Sequence, residues 1–324
     1  MFKAFSFWRR TGLGLVAGLA VTTAAAQFPD KPIRIIVPFP PGGSSDTIAR
    51  LLANGMKDKL GQPVLVENKP GAGTIIGTDM VAKGAADGYT LLWMTTPFAI
   101  NATLFKQLPY DPIKDFTPVS LVTTGPLALI VHPTSPYKTV GELVAAAKKQ
   151  PGKLTYGSSG NGGSPHLTSE MFKSVAGFDA VHVPYKGSAP SVQDLIAGQT
   201  SFVFDTVFLT APFVQAGRAR ALAVTGRARA ATLPDVPTMV EAGVPGFVAT
   251  SWLGLAAPSQ TPKDVVARLS AAADEVLRNP DIRASLTKQG MDPAGGSPED
   301  AARHVAAEIA WWGKAVRDSG AKPD

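Results

Sequence analysis

Cysteine is absent from the 324 residues, which excludes disulfide staples, thiolate metal sites and a cysteine nucleophile. Histidine is scarce, and the four present, His132, His166, His182 and His304, lack the paired spacing of metal ligands. No serine sits in a G-x-S-x-G elbow, so a hydrolase has no nucleophile frame to start from. A complete dinucleotide fingerprint is missing too: in GAGTIIG, residues 71–77, the third glycine falls one position late. Arg218, Arg220, Arg227 and Arg229 form only a small cluster among scattered charges, and nucleic acid is not an expected partner. After residue 26 no apolar run is long enough to cross a bilayer.

What is present begins with an address. Residues 1–26 carry Lys3, Arg9 and Arg10, then an uncharged segment from Thr11 to Ala26 that ends in three alanines. This order of basic, apolar and small residues predicts a secretory signal cleaved before Gln27, and export. A retained anchor is the competing reading, and the segment is short for one. The residues after Arg9-Arg10 fit the twin-arginine signal only loosely. Removing three basic and no acidic residues lowers the formal charge from +6 to +3. An exported chain without disulfides needs a substantial core, and about 300 mature residues suffice for two domains.

The mature chain alternates strand and helix signals, as an α/β protein does. Ile33 to Phe39 is apolar and β-branched, the pattern of a parallel strand buried on both faces. Pro40, Pro41, Gly42 and Gly43 stop it, Ser44 or Ser45 is placed to cap a helix, and Ile48, Leu52, Met56 and Leu60 make that helix's apolar stripe. The motif recurs: a strand over Lys153 to Tyr156, the loop Gly157 to Gly163, a cap at Ser164 and Pro165 in the first turn. Free amides at such helix starts attract anions. Asp46 competes for them in the first loop; no acid does so in the second. A flexible linker and a merely capped helix are the bland alternatives.

Other polar turns close strands. Thr95 and Thr96 follow the strand Thr90 to Met94, and ligands of open α/β sheets sit at such carboxyl ends. Asp205 follows Phe202 to Phe204, where it can meet a ligand amine or hydroxyl, or cap its own turn. His166 can donate to an anion or pack. A new strand set is expected from Pro126, a short helix before Gly243, a return crossing from Ala249, and terminal helices with Trp312 on a packing stripe.

These stretches, in order, resemble the Bug family: FPDKPIRIIVPFPPGGSSDTIARLLA, GQPVLVENKPGAGTIIG, DGYTLLWMTT, YGSSGNGGSPHL, VHVPYKGSAP and SWLGLAAP among them. The family comprises periplasmic solute receptors of tripartite tricarboxylate transporters. The resemblance implies an α/β, two-lobe periplasmic-binding-protein type II architecture with two crossover strands. Residues 27–125 and 249–324 would form lobe 1 and residues 126–248 lobe 2. It further implies no cofactor, no metal, no catalysis, a monomer, and integral-membrane transporter subunits as partners. A small organic carboxylate would be gripped by Gly43, Ser44, Ser45 and Asp46 from one lobe. Ser158, Gly160, Asn161, Gly162, Gly163, Ser164 and His166 would grip it from the other, with Asp205 at its far end and Thr95 and Thr96 on the rim. Phe39, Pro40 and Phe98 would narrow the cleft. A sensor that docks a membrane kinase, and an exported hydrolase, are the alternatives in other classes.

Overall fold

The computed structural model describes residues 1–2 and 28–323. Apart from its first two residues, the segment read as a signal peptide lies outside that range. The first half of the chain contributes β1 (Ile33–Val37), α1 (Ser44–Leu60), β2 (Val64–Asn68), α2 (Ile75–Ala82), β3 (Thr90–Thr95), α3 (Thr96–Leu104) and β4 (Phe116–Val131). The middle contributes α4 (Val140–Lys149), β5 (Thr155–Ser158), α5 (Ser164–Ala176), β6 (Val181–Pro184), α6 (Ser188–Ile196), β7 (Phe202–Thr206), α7 (Val207–Gln215) and β8 (Arg220–Val224). The chain then returns through β9 (Thr250–Pro258), α8 (Lys263–Arg278), α9 (Pro280–Lys288), β10 (Asp292–Pro293) and α10 (Pro298–Ser319).

The strand order is β2-β1-β3-β9-β4-β7-β5-β6, with β8 and β10 also on β4. In the first lobe β1 is parallel to β2 and β3, and β9 runs antiparallel between β3 and β4. The second lobe repeats the plan: β5 is parallel to β6 and β7, and β4 runs antiparallel between β7 and β8. Each lobe thus receives one antiparallel strand from the crossing chain.

Strand β4 spans both lobes. Residues from Phe116 to Pro126 pair with β9, and those from Leu127 to Val131 pair with β7 and β8. The expected new strand set does begin here, since pairing with β7 starts at Leu127, but no new strand does. The strand is continuous, and the change of texture marks a change of partners. Pro126 has no N–H to give, and the next amide, Leu127 N, donates to Thr225 Oγ1 at 2.9 Å. Thr225, fully buried, also donates from Oγ1 to Ala249 O at 2.6 Å and exchanges backbone bonds with both residues. One threonine thus sews the two crossings together.

Burial explains the strand compositions. In β1, Ile33, Ile35 and Val37 pack on one face of the sheet and Ile36 on the other. In β7, Phe202 and Phe204 pack on one face and Val203 on the other. Sheets covered by helix on both sides read as continuous apolar runs. Trp312, Val305 and Val316 bring α10 onto the first lobe's core. The short helix expected before Gly243 does not form. Thr238 and Glu241 exchange capping bonds (2.7 and 3.1 Å), but Gly243 turns to φ +92° and Pro245 follows. Asn279-Pro280 ends α8 and also opens α9, with the Asn279 side chain as its cap.

Candidate functional site

The parallel strands of both lobes end at one seam, where β1, β3, β5, β6 and β7 hand over to α1, α3, α5, α6 and α7. None of these five helices has a side-chain cap hydrogen bond. Three helices that begin away from the seam, α4, α9 and α10, are capped by Thr139, Asn279 and Ser297; α2 and α8 lack such a cap as well. The expected caps at Ser44 or Ser45 and at Ser164 are therefore corrected. The cap positions are Gly43, Gly163 and, for α6, Gly187, each followed by a serine in the first turn. A glycine offers no oxygen to the first-turn amides, so they remain available to an outside acceptor.

Between the lobes these helix starts enclose a chamber of about 70 Å³. Ser44, Ser45 and Thr95 line it from the first lobe, and Ser159, Ser164, Ser188 and Thr206 from the second, with Ser251 of β9 at the crossing. An adjoining cavity of about 400 Å³ lies between the loop Pro70–Thr74 and residues 159–161, 163 and 185–187. Gly43 and Asp205 line the chamber; Gly160, Asn161 and Gly163 line the adjoining cavity. Phe39 and Pro40 border both.

Five expected ligand contacts lie beneath these walls instead. Asp46 accepts from Gly42 N (3.1 Å), Arg50 Nε (3.0 Å) and Asn68 Nδ2 (3.0 Å), and so staples the first loop. Burial works to raise its pKa, but the bonds from Arg50, Gly42 and Asn68 prevail and hold it below the usual carboxylate range. Thr96 Oγ1 accepts from Trp252 N at 3.0 Å and ties α3 to β9. Ser158, with no exposed surface, lies 2.6 Å from His182 Nε2 through its hydroxyl, which also accepts from Gly160 N at 3.1 Å. His182 stacks on His166 (4.2 Å between ring centroids), and His166 Nδ1 accepts from Gly162 N at 3.3 Å. Ser158 and His182 have the contact of a nucleophile pair, yet neither lines the chamber or the adjoining cavity; they shape the second loop from below. Phe98 is buried against Tyr110 and Phe116 and does not narrow the cleft.

Asp205 is the chamber's acid, 1% exposed at the end of β7. Its Oδ1 accepts from Thr206 N at 2.7 Å, while Oδ2 is buried and completes no hydrogen bond. Burial pushes its pKa up to about 6, against the pull of the nearby Ser188 and Thr206 groups. An ionised carboxylate with a free buried oxygen asks for a donor. Ser159, Lys186, Ser188, Thr206 and Ser251 were missed in the sequence; each stands at or just beyond a strand end, or at the start of β9, a signal that can be read once the strands are placed.

A larger cavity of about 960 Å³ lies on the hinge side, among Thr124–Pro126, residues 226–231 and the second half of α10. No helix begins there. Its walls mix Arg227, Arg229 and Lys314 with Asp292, Glu308 and Asp318, and with no helix start among them they offer an anion no set of free backbone amides. Among the described residues no cluster of His, Asp and Glu could hold a metal ion, and no helix is long and apolar enough to cross a membrane.

Comparison with known proteins agrees with this architecture. The profile of the tripartite tricarboxylate transporter family receptor matches residues 48–321. Protein BugT of Bordetella pertussis is 38% identical over 308 residues, 94% of each chain. Rpa4515 of R. palustris, solved with adipate, superposes with a TM-score of 0.88 at 37% identity, over 92% of this chain and all of that one. MatC from Rhodopseudomonas palustris, solved with bound malate, gives 0.86 at 34% identity, over 89% and 100% of the two chains. Sharing their fold, their length and at least a third of their residues, the chain belongs to the tripartite tricarboxylate transporter receptor family, the Bug-type periplasmic solute receptors.

Proposed function

We propose that this receptor captures a small organic carboxylate in the interlobe chamber and delivers it to the membrane subunits of a tripartite tricarboxylate-type transporter, without catalysing any reaction on it. One observation carries the reading: five helix starts without side-chain caps, two from one lobe and three from the other, converge on a chamber lined with hydroxyls. Each start presents unpaired amides and the positive end of a helix dipole. The adipate and malate held by the two Rhodopseudomonas palustris proteins support the ligand class.

In this reading residues 27–125 with 249–324 move as one body and 126–248 as the other, about the crossings at Gly125 and Ala249. The donors of the two lobes converge only on closure, so the anion favours the closed form over the open one, and the closed form is what the membrane subunits recognise. Gly43, Ser44, Ser45, Thr95, Gly163 and Ser164 hold the carboxylate. Asp205 takes a hydroxyl or amine that the ligand carries beside that carboxylate, and Ser158, His166, Gly162, Asp46 and Thr96 hold the loops in shape. Export through the N-terminal segment places the receptor in the periplasm.

The test is calorimetric titration with adipate and malate, preceded by a thermal-shift panel of organic acids. Ser164→Ala removes the hydroxyl of a residue in the chamber wall. It is expected to weaken the bound acid by roughly 1.5 to 3 kcal/mol, the usual worth of a hydrogen bond to a charged group, with the melting temperature of the free protein unchanged. Equal affinity in wild type and variant contradicts the assignment.

A further inference from the structure

The chamber of about 70 Å³ is far below the roughly 300 to 1,000 Å³ of ordinary small-molecule sites. It accommodates a charged head group and little more, so the rest of the ligand must go elsewhere. The adjoining cavity of about 400 Å³ is the available continuation, because Phe39, Pro40, Pro97, Ser159, Lys186 and Gly187 belong to the walls of both. Beyond this shared boundary its lining includes Pro38, Pro70 and Ala72, which suit carbon chain and offer no hydrogen bonds from their side chains.

Lys186 stands at the junction. It is the basic residue in the walls of the two cavities. Among the described residues it forms no ion pair or hydrogen bond, although Lys and Arg residues elsewhere on the surface, such as Arg50, Lys83 and Arg229, have found carboxylates. Its side chain is exposed, and the uncapped start of α6 two residues later adds positive potential beside it. An unpaired cation where an apolar wall meets a chamber with room for one head group calls for a second anion. Such a pairing is worth more where lobe closure thins the water around it.

We propose that Lys186 is a specificity-determining residue: it holds the second carboxylate of a two-headed acid whose first carboxylate lies on the chamber amides and whose carbon chain bends through the near side of the proline-lined cavity. This rests on the carboxylate-receptor reading above. It adds a residue and a discrimination, between diacids and monoacids of equal length.

Titration calorimetry on the mature chain with adipate and with hexanoate tests it. The wild type binds adipate at least tenfold more tightly than hexanoate. In Lys186→Met that ratio collapses to within about twofold of one, and in Lys186→Arg, which keeps the charge, most of it returns. Ala72→Trp, which fills the outer cavity from an exposed position, weakens adipate at least tenfold. A Lys186→Met protein that folds, judged by its thermal melt, and keeps the wild-type ratio overturns the assignment of Lys186. Equal binding of the two acids by the wild type does the same and leaves the carboxylate reading standing. Failure of every organic acid to bind the wild type overturns that reading itself, and this inference with it.

Discussion

Asp205 is a single residue whose burial ties stability to pH. Its pKa in the folded chain, about 6, lies above the ordinary 3.8. The folded form therefore binds an extra proton between those values. Ionised and buried, the group penalises folding at neutral and alkaline pH, and the penalty is relieved as pH falls from about 7 toward 4. A shift of this size corresponds to about 3 kcal/mol. Asp205→Asn is therefore expected to raise the unfolding free energy at pH 7.5 by as much as about 3 kcal/mol, and by little at pH 4, in urea denaturation followed at both. The same variant is expected to lose affinity for acids that carry a hydroxyl or amine. An equal effect on stability at the two pH values contradicts the account. Ser158 carries the opposite lesson: a serine in a glycine loop looks ligand-facing in sequence, but its hydroxyl is committed to Gly160 N and the His182 ring. Nothing in GSSGNGGS distinguishes Ser158, turned in, from Ser159 and Ser164, which face the cavities, because the difference arises from strand pairing with β6 and β7.

Among the elements, those legible in sequence were the ones whose cause is local. The strand buried on both faces at Ile33–Val37, the stripe along α1 and the Ser297 capping box of α10 are each written in neighbouring residues. The unbroken β4 was not, because its pairing partners lie more than 70 residues downstream, in β7, β8 and β9. Nor was the choice of Gly43 and Gly163 as cap positions. Serine is the better cap in isolation, but here it stands one residue inside the helix and leaves the amides uncovered. Thr225 was invisible for the same reason as β4: its partners, Leu127 and Ala249, are remote in sequence. Thr225→Val keeps its shape and removes both side-chain bonds. It leaves a buried N–H and a buried C=O without their hydroxyl partner, and is expected to cost about 2 kcal/mol or more in a denaturation experiment. It is also expected to widen the distribution of lobe angles, read as a larger radius of gyration of the ligand-free protein in solution scattering. A variant as stable and as compact as wild type contradicts the role given to this threonine.

At the scale of the molecule, two halves of the same plan are joined by β4, which pairs with β9 in one and with β7 and β8 in the other, and the strand ends of both lobes lie at a common seam. The lobes meet closely there: a Cβ on Gly162 would stand 2.6 Å from Asn101 Oδ1, and one on Gly73 would stand 2.8 Å from Asn161 O. Opposed starts of uncapped helices line this seam, and the anion trap proposed for them is complete only when both lobes contribute. The most direct test is a crystal structure of the mature protein grown with adipate. The account predicts a carboxylate in the chamber, accepting hydrogen bonds from amides or hydroxyls of both Gly43–Ser45 and Gly163–Ser164. A diacid held instead in the hinge-side cavity beside Arg227 and Trp311, or by one lobe alone, would contradict it.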